Sequence, residues 1–140
     1  MENSTEKPSL IQLPKILDHR GNLSFFEKGK PLPFDINRVY WIYDVPGGEK
    51  RGGHAYRCLQ EVIIALSGSF EVVLHDGTEE TRFLLNRSYD ALYVPRLYWR
   101  HLENFSTNAL AFIATDASYD EGEYIRDFDS FKMIRDGAPL

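Results

Sequence analysis

The sequence predicts an all-β fold, a two-sheet jelly roll or closed barrel that ends in a short C-terminal tail or helix. Short segments rich in β-branched and aromatic residues follow one another along the chain, and turn signals separate them at nearly even spacing. The strongest hairpin signal is Asp76-Gly77, between two such segments. Glycine readily takes the positive φ that tight hairpin turns need.

Taken in order, the strand-like segments are residues 10–13, 24–26, 39–43, 62–66, 70–74, 81–85, 91–94 and 110–115. Within 62–66 the apolar residues occupy both strand faces, which predicts a strand that is buried on both sides. From Tyr119 onward the alternation is lost, and an ordered tail with one short helix near residues 127–134 is expected. The first seven residues are expected to be frayed.

Length and composition favour one globular domain, residues 1–140, with 43% hydrophobic residues. A net charge of -5 with interspersed signs argues against binding to a nucleic-acid polymer. No run approaches the roughly 18 apolar residues of a membrane span. The N-terminus lacks the apolar core of a secretory signal, and the single Cys58 cannot form an internal disulfide. A cytoplasmic location is therefore expected.

A spaced motif suggests where a functional site lies. Gly48, His54, Glu61 and Gly68 follow the spacing G-x5-H-x-Y-x4-E-x6-G. This is the first cupin signature with one change, because Tyr56 stands where a second histidine usually sits. His54 and Tyr56 are two residues apart, so on a strand they face the same side. The sequence thus predicts a cupin-type jelly roll whose inner strands direct these side chains into one pocket.

A second signature tests whether that pocket holds a metal. It normally adds a histidine ligand through P-x-G-x2-H-x3-N, and the matching position here is Arg100. A guanidinium stays protonated and has no lone pair for a metal. His54 and Glu61 alone fall short of the three or more ligands that transition-metal sites usually take. We therefore expect no metal, and an organic acid/base pocket instead.

The residues around His54 and in the tail carry a more specific resemblance. The runs Arg51-Gly52-Gly53-His54-Ala55-Tyr56-Arg57 and Tyr119-Asp120-Glu121-Gly122-Glu123-Tyr124-Ile125-Arg126 resemble the sugar-nucleotide 3,4-ketoisomerases, the WxcM-like cupins that act on dTDP-4-keto-6-deoxyglucose. The similarity extends over nearly all of the chain after residue 10. It implies an enzyme that moves a ketone from C4 to C3 of a dTDP-linked hexose through an enediol, with no metal and no nicotinamide cofactor.

The resemblance also implies catalytic roles. The family pattern is Arg-Gly-x-His-Ala-His, so His54 takes the place of the first histidine and is the expected base. An imidazole with an ordinary pKa of about 6.5 can take and return a proton near neutral pH. Tyr56 departs from the pattern, and a phenol with an ordinary pKa of about 10 can act as an acid but not as a resting base. If a nearby arginine, Arg100 or Arg51, lowered that pKa, the phenol could also relay a proton.

Other polar residues are candidates for substrate binding. Arg51 could bind a phosphate, and Tyr40 or Trp99 could stack on thymine or sugar, although core packing is the commoner fate of such rings. Glu61 could orient His54, bind a sugar hydroxyl or form a structural ion pair. The tail residues Asp120, Glu121 and Arg126 are expected to form ion pairs that hold the tail.

Two positions bear on product stereochemistry in the family. Arg20 stands where members carry Tyr or Arg, and Arg100 where they carry Arg or His. The Tyr and Arg pair accompanies a gluco product and the Arg and His pair a galacto product. This chain has one residue from each pair, so the configuration at C4 is not predicted.

Two other functions stay open at this point. Because Tyr56 replaces the second histidine, the chain could be a non-catalytic or altered-activity cupin that binds sugar nucleotides. A related epimerase, with His and Tyr on opposite faces of the ketosugar, is the other alternative. A homodimer is expected in each case, because jelly rolls of this size often pair through an edge strand.

Overall fold

The computed structural model describes residues 6–137, and its main elements are two five-stranded antiparallel sheets. The strands are β1 (Ser9–Gln12), β2 (Lys15–Ile16), β3 (Leu23–Ser24), β4 (Arg38–Ile42), β5 (Arg51–Tyr56), β6 (Glu61–Ser67), β7 (Phe70–His75), β8 (Glu80–Leu85), β9 (Asp90–Val94), β10 (Trp99–Glu103), β11 (Leu110–Thr115) and β12 (Tyr124–Ile125). A 3-10 turn (Glu121–Glu123) precedes β12, and helix α1 (Phe128–Arg135) follows it. The predicted all-β fold with a C-terminal helix is confirmed.

The strand order shows a jelly roll rather than a closed barrel. The first sheet has the order β1-β9-β6-β11-β4 and the second β12-β5-β10-β7-β8, while β2 and β3 pair with each other. Every predicted strand overlaps an observed one, and the hairpin at Asp76-Gly77 joins β7 to β8. Gly77 has a φ of 99°, as the turn signal requires.

Four observed strands were not among the predicted segments: β2, β5, β10 and β12. Three of them are short or interrupted by glycine, and β10 has the sequence WRHLE, which is mostly polar. Their pairing comes from partners far away in the chain, so local composition gives little indication of it. Residues 1–5, most of the segment expected to be frayed, lie outside the described residues.

The main core lies between the sheets. It contains Ile63 and Leu92 from the first sheet and Phe70, Leu74 and Leu102 from the second. The prediction for β6 is confirmed, because residues 62–65 are buried on both faces. Their outward side chains are covered by the segment before β4, which contributes a second apolar cluster.

Helix α1 covers the outer face of the second sheet. Phe131 is fully buried there against Ala55 and Ile125. Asp127 begins the helix as its N-cap, and its side chain accepts hydrogen bonds from the backbone N–H and the hydroxyl of Ser130, both at 2.9 Å. These hydrogen bonds lower the pKa of Asp127 and satisfy a free N–H of the first turn. The predicted helix boundaries are therefore confirmed to within one residue.

Within residues 6–137, no helix has both the length and the apolar character needed to cross a membrane. The assignment of residues 1–140 to a single domain and the cytoplasmic location both stay predictions.

Candidate active site

Polar side chains from both sheets meet in the space between them, beyond one end of the apolar core. We call this group the inter-sheet cluster. The first sheet contributes Arg38, Tyr40 and Glu61, and the second contributes His54, Tyr56, Arg100 and Tyr124.

Strand pairing explains why these side chains converge. In the second sheet Arg100 lies opposite His54, and Tyr124 lies opposite Tyr56. Residues opposite one another in antiparallel strands point to the same face, and His54 and Tyr56 share that face by their spacing. In the first sheet Tyr40 on β4 and Glu61 on β6 both pair with residues of β11. The cluster is thus built from five strands, the consecutive β4, β5 and β6 together with β10 and β12 from much later in the chain.

A buried ion pair forms its inner end. The side chains of Arg100 and Glu61 are each 1% exposed. Arg100 donates through Nε to Glu61 Oε2 at 2.8 Å and through Nη2 to Glu61 Oε1 at 2.9 Å. Burial would lower the pKa of Arg100, but the charge of Glu61 holds it well above its ordinary value. Arg100 is therefore a permanent cation, and such bidentate pairs have a well-defined geometry.

The same guanidinium reaches two further groups. Its Nη2 donates to the Tyr40 hydroxyl at 3.0 Å, and its Nη1 donates to the Gly52 carbonyl at 3.2 Å. Gly52 has a φ of 76°, and a Cβ there would lie 2.1 Å from Arg100 Nη1. Only glycine fits this position, both for its backbone conformation and for the room it leaves.

The ion pair also bears on metal binding. Arg100 occupies the position of a histidine ligand, and both carboxylate oxygens of Glu61 accept hydrogen bonds from it. Among residues 6–137, no three His, Cys, Asp or Glu side chains come together as metal ligands. The donor set in the cluster therefore does not suit a metal ion.

His54 lies between two aromatic rings and is 7% exposed. Its ring centroid is 4.8 Å from those of Tyr56 and Tyr124. Nε2 is buried and has no hydrogen-bond partner among the described residues. Burial, followed by the charges of Arg100 and Arg126, lowers the pKa of His54 to about 2. The imidazole is consequently neutral at physiological pH.

Tyr56 is 3% exposed, and its hydroxyl donates to the Tyr124 hydroxyl at 3.5 Å. Burial and the charge of Glu61 raise its pKa, and the opposing effect of Arg100 is smaller. The sequence left open whether an arginine would lower the pKa of this phenol. In the structure the pKa is raised, so Tyr56 stays protonated and can donate a proton.

Sequence reasoning missed Arg38 and Tyr124 as members of the cluster. The Cζ atom of Arg38 lies 4.5 Å from the ring centroid of Tyr40, and its Nη1 is buried without a hydrogen-bond partner among the described residues. The spacing of two between Arg38 and Tyr40 was a usable signal, since it puts both on one strand face. No local signal places Tyr124, which depends on the tail returning to pair with β5.

Of the tail residues expected to hold the tail by ion pairs, Arg126 and Glu121 do form one, but both belong to the tail itself. Arg126 donates to Glu121 through two nitrogens, at 2.8 and 2.9 Å, and Asp120 caps the 3-10 turn. Glu123 accepts a hydrogen bond from the backbone N–H of Leu59 at 2.7 Å. The Glu123 contact attaches the tail to the segment after β5, next to the point where Tyr124 pairs with Tyr56.

Three predicted substrate-binding residues are not brought to the cluster. Arg20 lies on an exposed turn and pairs with Asp18, with Nε 2.9 Å from Oδ1. Trp99 lies on the outer face of β10, where it packs against Phe128 and Phe131 of helix α1. Its neighbour Arg100 points inward, so strand alternation accounts for the position of Trp99.

Arg51 is also outside the cluster. It lies at the exposed start of β5 and lines a surface groove of about 380 Å³ together with residues of the segment 41–50.

Comparisons with known proteins agree with these observations. A family model described as "WxcM-like, C-terminal" (FdtA) matches residues 6–136. A TDP-4-oxo-6-deoxy-alpha-D-glucose-3,4-oxoisomerase from Aneurinibacillus thermoaerophilus is 39% identical over 123 residues, which cover 88% of each chain. The predicted resemblance to the sugar-nucleotide 3,4-ketoisomerases is confirmed.

Solved structures show the same similarity. A 3,4-ketoisomerase from Helicobacter canadensis superposes with a TM-score of 0.89 at 36% identity, covering 92% of this chain and 97% of its own. The sugar 3,4-ketoisomerase QdtA from Thermoanaerobacterium thermosaccharolyticum, crystallised with TDP, superposes with a TM-score of 0.92 at 32% identity, covering 96% of this chain and 98% of its own. The match of the family model over nearly all of the described residues, together with these relatives, shows that the chain belongs to the WxcM-like, C-terminal (FdtA) family.

Proposed function

We propose that this protein is an isomerase that moves the keto group of dTDP-4-keto-6-deoxyglucose from C4 to C3 through an enediol, with His54 as the base. The observation that carries the proposal is the state of His54. Its imidazole is neutral, and its buried Nε2 has no hydrogen-bond partner among the described residues, so this nitrogen is not committed to another group. A base has to be unprotonated, and the negative charge that forms on the substrate oxygen would raise the lowered pKa of His54 as the proton is transferred.

The cluster also supplies what the reaction needs around that base. Removal of the C3 proton makes the imidazole cationic and puts negative charge on the oxygen at C4, so the two charges form together and offset each other. The Tyr40 hydroxyl accepts a hydrogen bond from the buried Arg100, which leaves its own proton free to be donated to the oxygen. Preorganised donors of this kind commonly give the largest single contribution to catalysis. The proton then returns from His54 to C4.

Ligand binding can be assigned to cationic groups at the edge of the cluster. Arg38 keeps a buried Nη1 without a partner among the described residues, and a guanidinium can bind phosphate or hydroxyl oxygens with paired hydrogen bonds. The relative QdtA binds TDP. We infer that the ligand of this chain is likewise a dTDP-linked ketosugar, and that Arg38 contacts it.

Incubation with dTDP-4-keto-6-deoxyglucose, followed by NMR of the sugar, tests the proposal. The wild type should form the 3-keto product, and the configuration at C4 can be assigned in the same spectrum. His54→Asn should lose turnover by at least about 100-fold, the usual scale of acid–base catalysis, while its affinity for dTDP stays within about twofold. Tyr89→Phe, on the outer apolar cluster, is the matched control and should keep full activity.

Two outcomes would contradict the proposal. Turnover that survives in His54→Asn would exclude His54 as the base. If the wild type binds dTDP without turnover and Tyr56→His is active, the tyrosine at position 56 prevents the isomerisation.

We also propose that the protein is a homodimer. Strand β4 lies at an edge of the first sheet, and its outward residues Val39 and Trp41 are 45% and 55% exposed. An exposed edge strand with apolar side chains favours association with a second copy. Light scattering should give twice the mass of one chain, and a stable monomer would contradict this assignment.

A further inference from the structure

Glu61 is a buried charge that the proton transfers described above do not use. Its side chain is 1% exposed, and its two carboxylate oxygens accept hydrogen bonds from Arg100, at 2.8 and 2.9 Å. The sequence left three roles open for it: orienting His54, binding a sugar hydroxyl or forming an ion pair. The structure shows the ion pair, and burial closes the carboxylate off from a ligand that enters from solvent. A carboxylate committed to a cation in this way acts on the site through that cation.

The guanidinium of Arg100 connects Glu61 to the Tyr40 hydroxyl. Its Nη2 atom bonds both groups, Glu61 Oε1 at 2.9 Å and the Tyr40 oxygen at 3.0 Å. A guanidinium is planar and rigid, so a carboxylate that accepts from Nε and Nη2 also fixes the direction of the second N–H on Nη2. The carboxylate thereby determines where Arg100 meets the phenol.

Glu61 and Tyr40 lie on strands that are not neighbours. Strand β11 runs between β6 and β4 in the first sheet, where Glu61 is paired with Thr115 and Tyr40 with Ile113. Two strand spacings of about 4.8 Å each therefore separate the two backbones. Arg100 comes from the opposite sheet and bonds both side chains, so it links a carboxylate and a phenol that strand pairing keeps apart.

The direction of the hydrogen bond at Tyr40 matters for the chemistry. A guanidinium has no acceptor, so the Tyr40 oxygen accepts from Arg100 and its own proton stays available. Burial raises the pKa of Tyr40, and the opposing charge of Arg100 is partly offset by that of Glu61. The phenol is therefore a neutral hydroxyl that can donate to an oxygen on which negative charge forms.

We propose that Glu61 is a positioning residue for the isomerisation, which holds Arg100 so that Tyr40 is kept as a hydrogen-bond donor to the substrate oxygen at C4. This inference rests on the proposed function. Glu61 itself touches neither the reacting carbons nor the ligand, and no proton passes through it. It acts on how well Tyr40 is directed as negative charge forms on the oxygen. This charge belongs to the transition state rather than to the bound ketone, so kcat depends on Glu61 more than KM does.

A double-mutant cycle between positions 61 and 40 tests this role. Glu61→Asp keeps the charge but withdraws the carboxylate by one methylene, so Arg100 can no longer bond both carboxylate oxygens and the phenol together. Tyr40→Phe removes the hydroxyl. The two single variants and the double variant are assayed with dTDP-4-keto-6-deoxyglucose. The kcat is expressed per dTDP-binding site, so that a loss of folded protein does not count as a loss of catalysis.

Glu103→Asp is the matched control for the change at position 61. Glu103 is also an ion-paired glutamate, with one oxygen 3.4 Å from Nη1 of Arg82. It lies three residues after Arg100 on β10, and strand alternation puts it on the outer face of the second sheet. Glu103→Asp should keep the kcat of its parent protein, whether or not the Tyr40 hydroxyl is present.

Tyr40→Phe should lose at least about 100-fold in kcat, the usual cost of removing one oxyanion donor. Glu61→Asp should lose at least about 10-fold in kcat with KM within about threefold of the wild type, because a misplacement of about 1 Å can cost about 100-fold. In the Tyr40→Phe background the same change should cost less than about threefold, since the group that it positions is then gone.

Arg100→Lys gives an independent measurement of the same link. A lysine keeps the positive charge but lacks the planar fork that bonds a carboxylate and a phenol in fixed directions. It should reduce kcat as Glu61→Asp does, and this loss should also fall below about threefold in the Tyr40→Phe background.

The inference is overturned if Glu61→Asp keeps the wild-type kcat. It is also overturned if this variant loses the same factor with and without the Tyr40 hydroxyl, because a merely structural role would not depend on that group. If Glu61→Asp does not bind dTDP, Arg100→Lys decides the outcome by the same criteria. Failure of the proposed function looks different, since the wild type would then form no 3-keto product.

Discussion

His54 should make the free energy of unfolding of this protein fall as the pH is lowered below about 6.5. The folded state lowers the pKa of His54 from an ordinary value of 6.5 to about 2. Above pH 6.5 the imidazole is neutral in both the folded and the unfolded chain, so it contributes no pH dependence. Below pH 6.5 the imidazole binds a proton in the unfolded chain but not in the folded chain. Stability is therefore lost as the pH falls, and the loss continues down to the folded pKa.

The size of the effect follows from the difference between pH and the unfolded pKa. A pH of 5 is about 1.5 units below the pKa of the imidazole in the unfolded chain. Each unit corresponds to about 1.4 kcal/mol of unfolding free energy. The wild type should thus lose about 2 kcal/mol of unfolding free energy between pH 8 and pH 5 because of His54. His54 is nearly fully buried, so solvent screening reduces this value little.

Urea unfolding of the wild type and of His54→Asn, followed by circular dichroism at pH 8, 6 and 5, measures this loss. The other histidines are present in both proteins and cancel in the comparison. Carboxylates such as Asp127 and Glu121 have lowered pKa values, so they do not titrate in this range. Equal losses in the two proteins would refute the reasoning. A His54 ring that titrates above pH 5 by NMR would refute it as well.

Two further predictions concern the inner end of the cluster. Glu61→Gln leaves Arg100 as a buried cation without its counter-charge, so the free energy of unfolding should fall by about 3–5 kcal/mol. The double variant Glu61→Leu with Arg100→Met should lose less than this in urea unfolding, and a larger loss would argue against the electrostatic explanation. Gly52→Ala forces a side chain into a φ of 76° and against Arg100, so it should cost at least about 1 kcal/mol and reduce turnover. Gly47→Ala, where a Cβ meets nothing within 4 Å, is its control and should change neither quantity; equal effects at both glycines would count against the close contact at Gly52.

Much of the architecture was predictable because it depends on short-range patterns. Alternation within a strand separates buried from exposed residues, and a glycine or proline marks most of the turns, so the position of β6 and the hairpin from β7 to β8 followed from local sequence. The start of helix α1 was also local, since the cap at Asp127 acts on a residue three positions later. The residue types at His54 and Arg100 were enough to argue against a metal, because the chemistry of a guanidinium does not depend on its surroundings.

What the local sequence could not decide was which side chains meet. Tyr124 reaches His54 only because β12 pairs with β5, and Glu61 binds Arg100 across the space between two sheets. The pKa values of His54 and Tyr56 follow from the same long-range packing, since burial is the largest cause in both. Trp99 was assigned to the pocket from its residue type, yet the helix that covers the outer face of β10 gives it a different environment. Residue identity sets which reactions a side chain can perform, and tertiary structure sets its neighbours and its distance from water, which together determine its charge and its partner in the reaction.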